Sequence, residues 1–242
     1  MRWTSWLPKS RNRRLCAVGL DFGPDSTSLV VLSGFLSQLD SVCCAERLDL
    51  PEGLVSYGEV LQSVLLGRWL RNYLEASNYH PDGAYLGLDD ACVSNHIVTI
   101  AAGLSPEVVA FQLQAKVQSL LPEYARQVWI DYRLDTGSAQ QGEQRYVVQA
   151  EPRLRLEALQ RVAHFAGLKA VVVEPRYDEV HRTEVSDTLS TLPQASAALA
   201  LQCDGAFGLA LRAWQDDGVN LLPHRDHAYS VLRRAWLLGV TV

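Results

Sequence analysis

Apolar and polar positions change rhythm several times along the chain. Residues 15–20 form a short continuous apolar run, followed by the turn-forming Asp21-Phe22-Gly23-Pro24-Asp25-Ser26. Residues 27–32 are again apolar and β-branched, so the pattern predicts strand, tight turn, strand. A third strand is expected over residues 39–50, ending at Pro51. Between residues 57 and 76, Val60, Leu61, Val64, Leu65, Trp69, Leu70 and Tyr73 recur at helical spacing and predict an amphipathic helix. Residues 78–83 read as a loop, and 84–88 and 97–101 as further strands. Ser105-Pro106-Glu107 suits a helix start, with serine as N-cap and proline in the first turn. That helix should run to Leu121 and stop before Pro122. Residues 128–134 and 145–150 predict strands around a loop, 152–166 a helix closed by Gly167, and 170–173 a buried strand. Helix, strand, strand, helix, strand over residues 105–175 therefore reads as a compact unit of its own. Beyond Tyr177 strand signals vanish, and the Ala- and Leu-rich stretch 194–214 predicts one or two buried helices.

The chain has 242 residues, nearly half of them hydrophobic, enough for a sizeable core in one domain or two small ones. A formal net charge of -5 argues against a nucleic-acid polycation. The charge is uneven, however: Arg2, Lys9, Arg11, Arg13 and Arg14 crowd the first residues with no acid among them. The five cysteines are Cys16, Cys43, Cys44, Cys92 and Cys203, with no CxxC spacing, which fits reduced thiols in a cytosol rather than a disulfide framework. Cys43 and Cys44, adjacent in a strand, should face opposite ways. No secretory leader pattern opens the sequence, and no run approaches the roughly 20 apolar residues of a spanning helix. The six histidines show no HExxH spacing, and neither GxSxG nor a Walker A motif occurs.

Four stretches, taken in order, resemble the PilM family of actin-like proteins that help build type IV pili. Gly19-Leu20-Asp21-Phe22-Gly23, with Ser26 and Leu29-Val30-Val31-Leu32, is similar to that family's first phosphate-loop hairpin. Leu121-Pro122-Glu123 with Trp129-Ile130-Asp131-Tyr132 resembles the "P…DY" stretch of its inserted subdomain. Ala166-Gly167-Leu168 with Val171-Val172-Val173-Glu174 resembles "AGL…VDVE", and Gly208-Leu209-Ala210-Leu211-Arg212 resembles "GLALR". The resemblance implies an α/β fold: a reduced actin-like, ribonuclease H-like core with an inserted small α/β subdomain, and a second actin-like domain largely missing. The implied division is a basic tail 1–14, a core 15–104 and 176–216, the inserted unit 105–175, and a C-terminal tail 217–242.

Candidate chemistry follows from this frame. An actin-type site clamps ATP between two hairpins whose backbone N–H groups bind phosphate while carboxylates position Mg²⁺. Asp21, Gly23, Ser26 and Ser28 form one such jaw, or an ordinary hairpin turn. Where ATP-binding members carry a lysine this chain has Ser28, and no second hairpin is visible, so no cofactor and no enzymatic activity are expected. Trp3 and Trp6 interleave with Lys9, Arg11, Arg13 and Arg14, a composition that suits either an anionic membrane surface or a solvated tail. Near the C-terminus, Asn220-Leu221-Leu222-Pro223 resembles the "INLLPWR" start of PilN, the membrane partner of PilM. It folds into its own groove between core and inserted unit, docks on another copy, or forms a plain tail. The expected function is a cytoplasmic scaffold of the pilus assembly platform at the bacterial inner membrane, with a PilN-like partner, self-association and peripheral contact with the membrane as its interactions and no nucleic acid. The alternatives are an actin-like ATPase and a component of a type II secretion platform.

Overall fold

The apolar runs that open the chain are continuous rather than alternating, as strands buried on both faces require. The computed structural model describes residues 14–23, 25–35, 38–56, 58–88, 93–121, 127–135, 142–175, 203–214 and 220–222, with positions 188, 197, 198 and 201. Strands β1 (Arg14–Phe22), β2 (Ser26–Phe35) and β3 (Gln38–Asp49) form an antiparallel meander. A small hairpin, β4 (Val55–Ser56) and β5 (Glu59–Val60), leads into helix α1 (Ser63–Ala76). Strand β6 (Gly83–Leu88) then returns parallel to β1. The chain next builds β7 (Ser94–Ala101), helix α2 (Pro106–Leu120), β8 (Val128–Asp135) and β9 (Glu143–Pro152). Helix α3 (Arg153–Phe165), β10 (Ala170–Pro175) and helix α4 (Asp204–Leu211) complete the described elements.

The main sheet has the order β10-β6-β1-β2-β3, in which β10, β6 and β1 run parallel and β2 and β3 continue from β1 as antiparallel neighbours. One face carries Val18, Leu20, Leu29, Val31, Leu86 and Val173, packed with Leu66, Leu70 and Leu74 of α1 and Leu156, Leu159 and Val162 of α3. The opposite face carries Val30 and Leu32 against Ala206, Phe207 and Ala210 of α4. Helix α4 approaches β1 so closely that a Cβ on Gly19 would lie 1.9 Å from the Ala206 carbonyl oxygen. Gly67 plays the same part between α1 and α3, where an added Cβ would lie 2.6 Å from the Val162 carbonyl oxygen.

A second, three-stranded sheet has the order β7-β9-β8 and packs Val98, Ile100, Tyr146 and Val148 against Val109, Leu113 and Val117 of α2. Trp129 of β8 packs against the main core and joins the two units. The division differs from the one expected at residues 105 and 175. Strand β7 belongs to the inserted sheet, while β10 pairs with β6 and α3 packs on α1. The insertion is therefore β7 to β9, because strand pairing, not order along the chain, decides membership.

Two further expectations are corrected. The helix expected from residue 57 begins at Ser63, and its buried stripe is Leu66, Leu70 and Leu74, leaving Leu61, Val64 and Leu65 exposed. The backbone N–H groups of Leu61 and Gln62 bond to the Leu54 carbonyl, so the β4–β5 hairpin holds the residues just before α1 out of the helix. Arg14 is not in a tail: it pairs across β1–β2 with Phe35 and lies 3.6 Å from the Asp40 carboxylate. Trp3, Trp6, Lys9, Arg11 and Arg13 lie outside the described residues, as does Pro223.

Candidate functional site

Two places gather the residues singled out in the sequence. The first is the β1–β2 turn. The Gly23 N–H donates to the Ser26 carbonyl at 2.8 Å, and the Thr27 hydroxyl to the Asp21 carbonyl at 3.1 Å. Buried Ser26 accepts through its hydroxyl from Arg47 Nε at 2.8 Å. Ser28 pairs with Asp21 on one side and Arg47 on the other. Asp21 lies on the α4 face, its Oδ1 3.5 Å from where a Cβ on Gly87 would stand. The Gly23 N–H, which a phosphate would need, is thus bonded within the turn, and the Ser26 hydroxyl oxygen is an acceptor for Arg47. Among the described residues no group of three or more His, Cys, Asp or Glu side chains is arranged to hold a metal.

The second place is the outer edge of β10, the end of the main sheet, where among the described residues backbone groups have no neighbouring strand. Residues 220–222 lie along it. The Asn220 side-chain amide donates to the Val171 carbonyl at 3.0 Å, and its Oδ1 accepts the Val173 N–H at 3.2 Å. One amide side chain thus takes the place of a paired backbone unit on an exposed edge, as strand-addition ligands do with their main chain. The Leu221 N–H donates to the Val173 carbonyl at 2.8 Å, and the Leu222 N–H folds back to Asn220 Oδ1 at 3.1 Å. Leu221 and Leu222 join the main core, exposed by only 1% and 7%. Burying each leucine contributes about 1.5–3 kcal/mol.

Asp131 completes this seam from the other unit. It lies on β8, 3% exposed, and its Oδ2 accepts the Asn220 backbone N–H at 2.6 Å while Oδ1 accepts the Tyr132 N–H at 2.7 Å. The segment therefore bridges the core sheet and the inserted sheet. Sequence reasoning quoted Asp131 only within a resemblance. Its part in the seam depends on the β8–β9 register and on a residue 89 positions away, and no local pattern reveals that. Behind β10, Glu174 and Arg212 of the α4 C-cap form a buried ion pair at 3.0 Å.

Near the junction, Glu151 of β9 is fully buried, with Arg155 Nη1 3.2 Å from its Oε1. Burial pushes its carboxyl up to about 7, against the opposing pull of Arg155. Burial likewise pushes the Cys16 and Cys44 thiols up to about 11, so both stay protonated and unreactive at neutral pH. Cys43 is exposed and Cys44 buried, on opposite faces of β3.

A PilM-PilN type IV pilus biogenesis complex has a chain that superposes with a TM-score of 0.51 at 19% identity, covering 66% of this chain and 47% of that one. The fold is PilM-like. Its actin-like core is the five-stranded sheet with α1 and α3 on one face and α4 on the other, and the matched region spans about half the length of that PilM-PilN chain. The cytoplasmic domain of EpsL, an inner membrane component of the type II secretion system of Vibrio cholerae, superposes with a TM-score of 0.41 at 15% identity, over 68% of this chain and 58% of that one. No family model and no curated protein matches the sequence. No helix among the described residues is long and apolar enough to cross a membrane.

Proposed function

We propose that this chain is a PilM-like scaffold of a type IV pilus assembly platform, stationed at the cytoplasmic face of the inner membrane and acting through protein–protein contacts. The seam between β10 and the inserted sheet is its peptide-docking site, suited to an Asn-Leu-Leu segment of a PilN-like partner. The observation that carries this reading is the set of hydrogen bonds joining Asn220 to Val171, Val173 and Asp131, with two leucines buried beside them. An edge strand supplies generic affinity, while the amide and the two apolar pockets supply sequence preference. The β1–β2 turn supports scaffolding over nucleotide chemistry, because half a clamp whose Gly23 N–H is already paired leaves a triphosphate largely unmatched.

Titration calorimetry tests the docking site. The chain without residues 219–242, with its cooperative melt checked first, is titrated with an Ile-Asn-Leu-Leu-Pro-Trp-Arg peptide. Saturable binding is expected, weakened at least about tenfold by Asp131→Ala, since losing a charged acceptor costs about 1.5–3 kcal/mol. Absence of binding to a folded chain would refute the reading.

A further inference from the structure

The occupant of the seam belongs to the same polypeptide as the seam itself. Five residues, 215–219, separate Trp214 from Asn220. Trp214 and Val171 pack against the same buried cluster of Ala17, Tyr85, Val172, Leu209 and Ala213, and Asn220 bonds to Val171. Six residue steps reach up to about 20 Å, ample for a connection that starts and ends beside one cluster. Docking in cis therefore needs no second copy.

The segment is also bound in the manner of a ligand. It adds no strand to either sheet. Among its backbone N–H groups only that of Leu221 bonds to another backbone; that of Asn220 goes to the Asp131 carboxylate and that of Leu222 to the segment's own amide. The groups it satisfies are the outer edge of β10, the C=O of half-buried Val171 and the N–H and C=O of buried Val173, which need some partner. The same three donors and acceptors, and the same two apolar pockets, would serve any Asn-Leu-Leu peptide arriving from elsewhere.

We propose that the seam is a docking site loaded by the chain's own residues 220–222, a tethered internal ligand that a partner peptide of the same Asn-Leu-Leu chemistry must displace. This rests on the reading of the seam as a docking site and adds its regulation. A short tether holds the segment at an effective concentration on the order of millimolar. A free peptide of equal intrinsic affinity must exceed about that concentration to displace half of it. A partner presented as a dimer, or held at the same membrane, meets this threshold, whereas a dilute peptide does not.

The test uses the whole chain with a protease recognition sequence inserted between Gly218 and Val219. The probe is a fluorescein-labelled peptide with the sequence of residues 218–225, read by anisotropy before and after cleavage. The uncut chain should take up no label at micromolar peptide. The cut chain, folded identically, should take it up, the threshold falling about a thousandfold from millimolar tether to micromolar solution. A control peptide in which the asparagine is alanine should not bind to either form. Equal uptake by cut and uncut chains would overturn the internal ligand and leave the docking site standing. No uptake by either form, with the cleaved segment still attached on gel filtration, would make residues 220–222 permanent core and overturn both readings. Equal uptake of the alanine control would reduce the contact to apolar adhesion and overturn the proposal as well.

Discussion

At the scale of single residues, the polar groups buried where the two units meet dominate. Asp131 holds the Asn220 N–H, while Glu151 sits fully buried with one oxygen on Arg155. Raising a carboxyl from an ordinary value of 4.5 to about 7 means the folded state binds its proton more tightly than the unfolded chain. The charged groups facing it are Arg155, which opposes the rise, and Glu59, which adds to it. The stability it contributes is complete below pH 4.5 and is lost as pH rises through about 7. The difference is on the order of 3 kcal/mol. Glu151→Gln, neutral at every pH, should therefore be more stable relative to the parent at pH 8 than at pH 5, by denaturant unfolding. A pH-independent difference would mean that Glu151 ionises without penalty. Asn220, Leu221 and Leu222 were legible as a motif because three neighbours carry it. Asp131 was not, since a lone carboxylate in a strand has no pattern until its partner strand is placed.

At the scale of elements, most strands and helices were legible, and the failures share one cause. Val60 and Leu61 continue the helical spacing of α1, yet they lie in or beside the β4–β5 hairpin. Periodicity registered them because it ignores which face is covered. Packing by contrast chose Leu66, Leu70 and Leu74, the stripe that meets α3. Helix α4 shows what periodicity cannot contain. All eight of its residues but the first are buried, and its position depends on Gly19. An added methyl there meets backbone atoms, the Ala206 oxygen and the Ala210 nitrogen at 2.6 Å, which no rotamer change can relieve. Gly19→Ala should therefore destabilise the fold by about 3 kcal/mol or more. It should also shift Trp214 fluorescence to the red, as α4 moves and the indole loses the Phe35 carbonyl it bonds to at 2.7 Å. Parent-like denaturant midpoint and emission would contradict the close approach.

At the scale of the whole molecule, order along the chain misled and sheet membership corrected it. Residues 97–101 read as one more core strand, but they belong to β7, which pairs with β9 in the inserted sheet. Residues 153–175 read as part of the insertion, but α3 and β10 close the core. What passes between these units is the seam, while in the β1–β2 turn the Gly23 N–H is bonded to the Ser26 carbonyl. Titration calorimetry with Mg-ATP should accordingly show no tight binding. A dissociation constant below about 1 μM, roughly -8 kcal/mol, would show that the β1–β2 turn opens to accept phosphate after all.

The bridge from Asn220 to both sheets has a mechanical consequence. Tension applied from the C-terminal side reaches the described fold first at Leu222, then at Asn220. There the load divides between the β10 edge and Asp131 of the inserted unit, so neither sheet carries it alone. These bonds stand outside the strand ladders of the main sheet and can break without opening it. The hypothesis is a mechanical fuse, a low-force yield point that lets go before the sheet does. In an optical-tweezers pull between the inserted unit and the C-terminus, a short extension at low force should precede the main rupture and vanish in Asn220→Ala. A single rupture shared by both proteins would show that the seam bears no separate load.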